Sequence, residues 1–335
     1  MSKIAILGSG AWGTSIAISL ARRGGHSITL WSFAPDVAAT MRDVRENIAF
    51  LPGFRLPDSI AVTTDAAEAL NGAEIVVSVT PSEFTRASYA AFAPHLQPGQ
   101  MLVSATKGIE DRTFLRMTQV IGEVLSARGL NLSCGVLSGP SFAQEVAAGA
   151  PTAITIASAD PELAARVQRE FSSNSLRLYT NDDVVGVELG GSLKNIIAIA
   201  AGIVAGLGLG FNSNAALMTR GIAEITRLAI ACGGRRETLA GLSGMGDLVL
   251  TCTGSLSRNR TVGMELGLGR GLEEILAGLD GKVAEGVRTT SAALGLARRH
   301  GVEMPIAEQM EAILMHGKSP QRAIEELMVR PGRDE

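Results

Sequence analysis

None of the sixteen residues that follow Lys194, Asn195–Gly210, carries a charge. This stretch does more than any other to limit what the chain can fold into. A helix that apolar must be wrapped on all sides, and the ammonium at its head is costly to bury and easy to re-tune, because a low-dielectric site disfavours the charged form. Gly190, Gly191, Ala198 and Ala201 are its neighbours on the helix face, and they are small enough to let something lie against it. The competing reading is a core helix whose terminal Lys reaches out to water. The run is shorter than the about 20 residues a membrane span needs, holds several glycines and lacks a flanking basic cluster, so it reads as a buried helix. It also divides the chain. Before it strands and helices alternate, and after it only helices are legible.

A chain of 335 residues with 46% apolar and 19% charged side chains has material for two domains and ample core. Net charge is −3 and no basic block occurs, which gives nucleic-acid binding little support. Cys134, Cys232 and Cys252 are odd in number and far apart, so they suggest neither a disulfide framework nor a zinc site. Met1-Ser2-Lys3 leads straight into a strand-like IAIL with no signal-peptide pattern, and a cytoplasmic protein is expected.

The first half opens with the strand Ile4–Leu7, then Gly8-Ser9-Gly10-Ala11-Trp12-Gly13, then a helix, and Ser27–Trp31 completes a βαβ unit. Gly8 permits a tight turn, Gly10 lets backbone amides approach a pyrophosphate, and Gly13 lets the helix pack close to the sheet. The motif alone is weak, but here it follows a strand and opens a helix, as dinucleotide binding requires. An NAD-selective site wants an acidic residue at the end of the second strand. This chain has Leu30-Trp31-Ser32-Phe33-Ala34 there, with no Arg following at once, so NAD and NADP both stay open. Phe33 either stacks on the adenine or covers it.

Further strands are expected at Ile60–Thr63, Glu74–Val79, Met101–Ala105, Cys134–Leu137, Thr152–Ala157 and Leu176–Tyr179, giving a doubly wound sheet of about eight strands. Asp65 and Asp160 read as helix N-caps, the latter with Pro161 behind it. Lys107, in the strand-end loop Thr106-Lys107-Gly108, suits a phosphate or carbonyl, or is a surface lysine. Ser138-Gly139-Pro140-Ser141 enters a helix and gathers free amides, or is an ordinary helix start.

In the second half Asp182 or Asp183 caps the long helix through Lys194. A second long helix spans Asn212–Cys232, with Arg220, Glu224 and Arg227 on a polar side. Asp247 follows a glycine turn at a helix start, either as a plain N-cap or as an anchor for Lys194 or a substrate hydroxyl. Ser257-Arg258-Asn259-Arg260 begins another helix, either as an anion clamp or as a serine cap beside solvated arginines. Three helices follow near Gly286–His300, Pro305–Met315 and Ser319–Arg330.

Six blocks in order, GSGAWGT at 8–14, SATKGIE at 104–110, SGPSFA at 138–143, ELGGSLKN at 188–195, GMGDLVLTCT at 244–253 and SRNR at 257–260, resemble the bacterial NAD(P)-dependent glycerol-3-phosphate dehydrogenase family over nearly the whole chain. The resemblance implies a reversible hydride transfer between NAD(P)H and dihydroxyacetone phosphate giving sn-glycerol 3-phosphate for phospholipid synthesis. It implies an α/β fold, with a Rossmann-like dinucleotide-binding domain over residues 1–181 and an all-helical substrate-binding and dimerisation domain over 182–335. It further implies a homodimer, with no metal, nucleic acid or membrane anchor. Carried over by residue, Lys194 is the expected proton acceptor. Lys107, Gly139, Ser141, Lys194, Asp247, Ser257, Arg258 and Asn259 are expected at the substrate. Gly8, Gly10, Ala11, Trp12, Gly13, Phe33, Lys107, Ala143, Arg258, Val283 and Glu285 are expected at the dinucleotide. Phe33 departs from the basic residue the family often carries there.

Two alternatives stand beside this reading. One is a similar two-domain dehydrogenase acting on a hydroxy acid, in which Lys and Asn lie a helical turn apart; here Lys194 and Asn195 are adjacent. The other is a protein that binds NAD(P) without turnover.

Overall fold

The computed structural model describes residues 2–278 and 284–332. The expected dinucleotide position Val283 therefore lies outside the described residues. The chain divides into two compact units, one of Met1–Lys107 with Leu115–Glu188, the other of Gly108–Phe114 with Leu189–Glu335.

The first unit is built on ten strands: β1 Ser2–Leu7, β2 His26–Trp31, β3 Glu46–Asn47, β4 Leu51–Arg55, β5 Ile60–Thr63, β6 Ile75–Ser78, β7 Met101–Ser104, β8 Cys134–Ser138, β9 Thr152–Ala157 and β10 Leu176–Asn181. Eight of them form one sheet in the order β10-β9-β8-β7-β6-β1-β2-β5. All neighbours are parallel except β8 and β9, where Val136 pairs with Ala157. Strand β1 is central, with Ile4 paired to Ile28 of β2 and to Ile75 of β6. Side chains alternate across a strand, so Ile4 and Ile6 enter one core with Ile16 and Leu20, while Ala5 and Leu7 enter the other with Tyr89 and Phe92. Because β2 lies on one side of β1 and β6 on the other, the connections diverge at the carboxyl end of β1, which is where ligands sit in open α/β sheets.

Helices α1 Ala11–Arg23, α2 Pro35–Val44, α3 Ala66–Leu70, α4 Thr85–Phe92, α5 Met117–Ser126, α6 Ala143–Ala148 and α7 Pro161–Phe171 complete this unit. The Asp65 carboxylate accepts from the Ala67 and Glu68 amides, and Asp160 does the same for Glu162 and Leu163. Helix α7 then buries Leu163, Ala164, Val167 and Phe171. Large apolar side chains of this kind each contribute about 1.5–3 kcal/mol of burial.

The second unit is helical: α8 Val184–Gly206 begins in the first unit and continues into it, followed by α9 Phe211–Ala231, α10 Arg236–Ala240, α11 Asp247–Thr253, α12 Arg258–Gly267, α13 Leu272–Ala277, α14 Glu285–Arg299, α15 Pro305–His316 and α16 Pro320–Met328. Asp183 caps α8 through the Gly186 amide at 2.8 Å. Helix α8 is long and apolar enough to cross a membrane, but 89% of its apolar window is buried inside the protein. Its small residues are used for backbone contact. A Cβ on Gly263 of α12 would fall 1.9 Å from the Ile199 carbonyl oxygen of α8, so the two helices cross at glycine distance. One turn before Lys194, a Cβ on Gly190 would fall 2.6 Å from the Ser243 carbonyl oxygen. The space that the sequence leaves open beside Lys194 is thus taken by the Leu242–Gly246 turn, and Asp247 follows directly from it.

Glu224 departs from the expected polar face of α9. It is 1% exposed, and its carboxylate accepts from the Ile306 and Ala307 amides, both at 3.0 Å. The first turn of α15 has donors that no intrahelical carbonyl can satisfy, and Glu224 supplies the acceptors from another helix.

Candidate active site

At the carboxyl edge of the sheet, the Gly8–Gly13 turn joins β1 to α1 with no side-chain cap, leaving the first amides of the helix to another partner. Gly8 has φ +126° and lies so close to β6 that a Cβ would meet the Val79 carbonyl oxygen at 2.7 Å. A Cβ on Gly13 would sit 2.0 Å from the Gly8 carbonyl oxygen, whereas one on Gly10 would meet nothing within 4 Å. The turn is therefore closed against its own sheet and open at Gly10, the shape a pyrophosphate needs. The Trp12 indole nitrogen is buried without a hydrogen-bond partner among the described residues. The residues present fit a dinucleotide.

Other expected residues of this unit gather along the same edge. Ser32 is fully buried, and its hydroxyl accepts from the Ser9 hydroxyl at 2.7 Å and donates to the Ala34 carbonyl at 3.2 Å, so it is spent inside the protein. Phe33 is 86% exposed, with its ring centroid 6.3 Å from that of Trp31. Lys107 is half-buried, in a loop steadied by the Thr106 hydroxyl donating to the Thr80 carbonyl at 2.7 Å. Gly139 backs onto Ile154, and the Ser141 hydroxyl donates to the Gly139 carbonyl at 3.0 Å, just before Ala143 opens α6.

In the helical unit the Lys194 ammonium donates to the Asp247 carboxylate and, at 2.8 Å, to the Thr251 hydroxyl. The two charged side chains are 7% and 1% exposed. The Thr251 hydroxyl donates to the Asp247 backbone carbonyl at 2.6 Å. Asp247 is thus not an N-cap. Its carboxylate neutralises the buried ammonium, and the turn before it serves the helix start. Thr251 lies in the block 244–253 but has no role assigned from the sequence, although its place four residues after Asp247 on a helix is a usable signal. Beside it, burial pushes the Cys252 thiol up to about 12, so it stays protonated next to the pair.

Ser257 caps α12 by accepting from the Arg260 amide at 3.2 Å, leaving Arg258 exposed at the first helical position. Asn259 turns inward, its side-chain carbonyl accepting from the Gly286 amide at 2.9 Å. That contact steadies the start of α14, where Glu285 lies 3.5 Å from the Asn195 amide group. Lys194, Asp247 and Thr251 form one cluster, and Asn195, Asn259 and Glu285 form a second arrangement around the start of α14. The strap Gly108–Phe114 belongs to this unit too. The Gly108 amide donates to the Ser192 hydroxyl at 2.8 Å, and the Phe114 ring lies under Arg299 at 4.4 Å. Among the described residues, no group of three His, Cys, Asp or Glu could hold a metal ion.

A glycine turn at the switch point of a parallel sheet places the chain among dinucleotide-binding α/β proteins, and the helical unit separately buries an ammonium–carboxylate pair. Descriptions of the NAD-dependent glycerol-3-phosphate dehydrogenase N-terminus and C-terminus match residues 3–164 and 183–325. The chain belongs to that family. It is 64% identical to glycerol-3-phosphate dehydrogenase [NAD(P)+] of Acidobacterium capsulatum across the whole of both chains. It is 60% identical to the enzyme of the same name from Koribacter versatilis, covering all of this chain and 99% of that one. A crystal structure of glycerol-3-phosphate dehydrogenase from Coxiella burnetii superposes with a TM-score of 0.93 at 39% identity, covering 98% of this chain and 99% of the other. D-mandelate dehydrogenase with NADH, at 12% identity and a TM-score of 0.60, shares the fold alone.

Proposed function

We propose that the chain catalyses reversible hydride transfer between NAD(P)H and dihydroxyacetone phosphate, giving sn-glycerol 3-phosphate for phospholipid synthesis. The observation that carries this reading is the Lys194–Asp247–Thr251 cluster: an ammonium held out of water at a fixed place, with a counter-charge and a hydroxyl behind it. Reduction of a ketone builds negative charge on its oxygen and requires a proton. Lys194 supplies both the positive charge and the proton, and in the oxidation direction its neutral amine accepts the alcohol proton. Asp247 and Thr251 fix the direction of the amine, so no reorganisation is needed when charge develops.

The bound dinucleotide supplies or accepts the hydride. Gly8, Gly10, Ala11, Trp12, Gly13, Phe33, Ala143 and Glu285 are assigned to holding it, and Lys107 and Arg258 to both ligands. Lys107, Gly139, Ser141, Asp247, Ser257, Arg258 and Asn259 are assigned to the substrate. The exposed Arg258 guanidinium at the start of α12 suits the substrate phosphate. Binding of that remote group orients the carbonyl. The helical unit is assigned to substrate binding and to a homodimer, and the protein to the cytoplasm. A spectrophotometric assay at 340 nm with dihydroxyacetone phosphate and NADH or NADPH in turn tests the reading. Ketone-dependent oxidation of either cofactor is expected; cofactor binding by calorimetry with no oxidation would favour a non-catalytic NAD(P) binder.

A further inference from the structure

One buried side chain that touches the glycine turn comes from outside the βαβ unit. Asn47, on the two-residue strand β3, is 0% exposed. Its amide nitrogen donates to the Ser9 carbonyl at 2.7 Å and to the Thr14 hydroxyl at 2.8 Å, and its carbonyl accepts from the Phe50 amide at 3.2 Å. Both donors of the amide group are therefore used. Thr14 completes a ring, accepting from Asn47 and donating to the same Ser9 carbonyl at 3.2 Å.

The direction of that carbonyl matters because the Ser9–Gly10 peptide is planar and trans. Two donors that hold the Ser9 oxygen on one side aim the Gly10 N–H to the other. Gly10 is the position where the turn is open, with nothing within 4 Å of a would-be Cβ. The Ser9 side chain is held as well, through its bond to Ser32. Asn47 also lines, with Ile48 and Ala49, a cleft of about 260 Å³ whose other wall is Asp36, Val37 and Thr40 of α2. The short β3–β4 hairpin thus reaches the turn through Asn47.

We propose that Asn47 is a positioning residue for the dinucleotide: by locking the Ser9 carbonyl it pre-aims the Gly10 amide at the pyrophosphate. This rests on the dinucleotide reading above. Pre-aimed donors cost no ordering on binding, so their loss falls on cofactor affinity. Asn47→Asp keeps the shape and the acceptor for Phe50 but removes both donors and sets a carboxylate against the Ser9 oxygen.

The test is calorimetric titration of the purified enzyme with NADH. Asn47→Asp is expected to raise the Kd for NADH tenfold or more. The accompanying rise in apparent KM should fall on NADH and not on dihydroxyacetone phosphate, a split that general damage to the fold would not produce. Thr14→Val, which keeps Asn47 but breaks the ring, is expected to raise the NADH Kd at least threefold, and it carries the test if Asn47→Asp does not fold. A folded variant of either kind that binds NADH within twofold of wild type overturns the proposal. Wild-type protein that binds neither NADH nor NADPH overturns the dinucleotide reading instead.

Discussion

Replacing Asp247 by Asn changes charge with almost no change in shape, which makes it a clean probe of the buried pair. In the native protein the Lys194 and Asp247 side chains are 7% and 1% exposed, and the Thr251 hydroxyl also accepts from the ammonium. Removing one partner of a buried pair strands the other charge, at a cost of about 3–5 kcal/mol. At about 1.4 kcal/mol per decade, that is a fall of about 10²–10⁴ in the folding equilibrium constant. Removing both charges with apolar residues of similar volume is near neutral or stabilising. Lys194→Met combined with Asp247→Leu should therefore recover most of the stability that Asp247→Asn loses, a non-additivity expected only of coupled neighbours. Urea unfolding followed by circular dichroism measures both quantities. If Asp247→Asn lies within about 1 kcal/mol of wild type, the pair is not the tightly coupled buried unit described here.

Three further outcomes are expected. Arg258→Ala should raise the apparent KM for dihydroxyacetone phosphate about tenfold or more while leaving turnover of unphosphorylated dihydroxyacetone little changed; an equal loss on both ketones would remove Arg258 from the phosphate. Phe33→Arg should shift the NADPH-to-NADH ratio of kcat/KM toward NADPH by about tenfold, the worth of one charge-assisted contact of about 1.4 kcal/mol, and no shift would place Phe33 away from the ribose. Burial pushes the Glu224 carboxyl up from 4.5 to about 7, against the pull of the Ala307 and Ile306 amides and of Arg227, with Glu308 adding to the rise. The folded chain then holds this proton more tightly than the unfolded one, so the stabilisation is complete below about pH 4.5 and is lost as pH rises through about 7, by about 3 kcal/mol. Glu224→Gln should flatten that part of the stability–pH curve between pH 5 and 8, and an unchanged slope would refute the assignment.

The sheet was legible because its strands are short β-branched runs, buried on both faces and punctuated by Gly, Pro and Asn, and a parallel sheet demands such runs. The glycine turn and Lys194 were legible for a related reason, since each breaks its local pattern, although Lys194 alone also fits a core helix whose end reaches water. The β3–β4 hairpin was not legible. A two-residue strand carries no periodicity, although Leu51-Pro52-Gly53 is a turn-like punctuation beside it. The strap was hidden because its partners are remote: Phe114 packs against Gly295 of α14, where a Cβ would meet its ring at 2.2 Å. Glu224 reads as a polar-face residue on a helical wheel, because the amide donors it serves, at the start of α15, lie 82 and 83 residues later. Asp247 shows the same limit from the other side. At a helix start an Asp has two uses, capping and charge pairing, and only the fold decides between them.

The role proposed for the Lys194 amine is to handle the substrate proton and the developing charge. Lys194→Ala, assayed at saturating NADH and dihydroxyacetone phosphate with NADH affinity measured separately by calorimetry, tests it most directly. The expected result is a kcat lower by about 10²–10⁴-fold with an NADH Kd close to wild type. A kcat within threefold of wild type would contradict it.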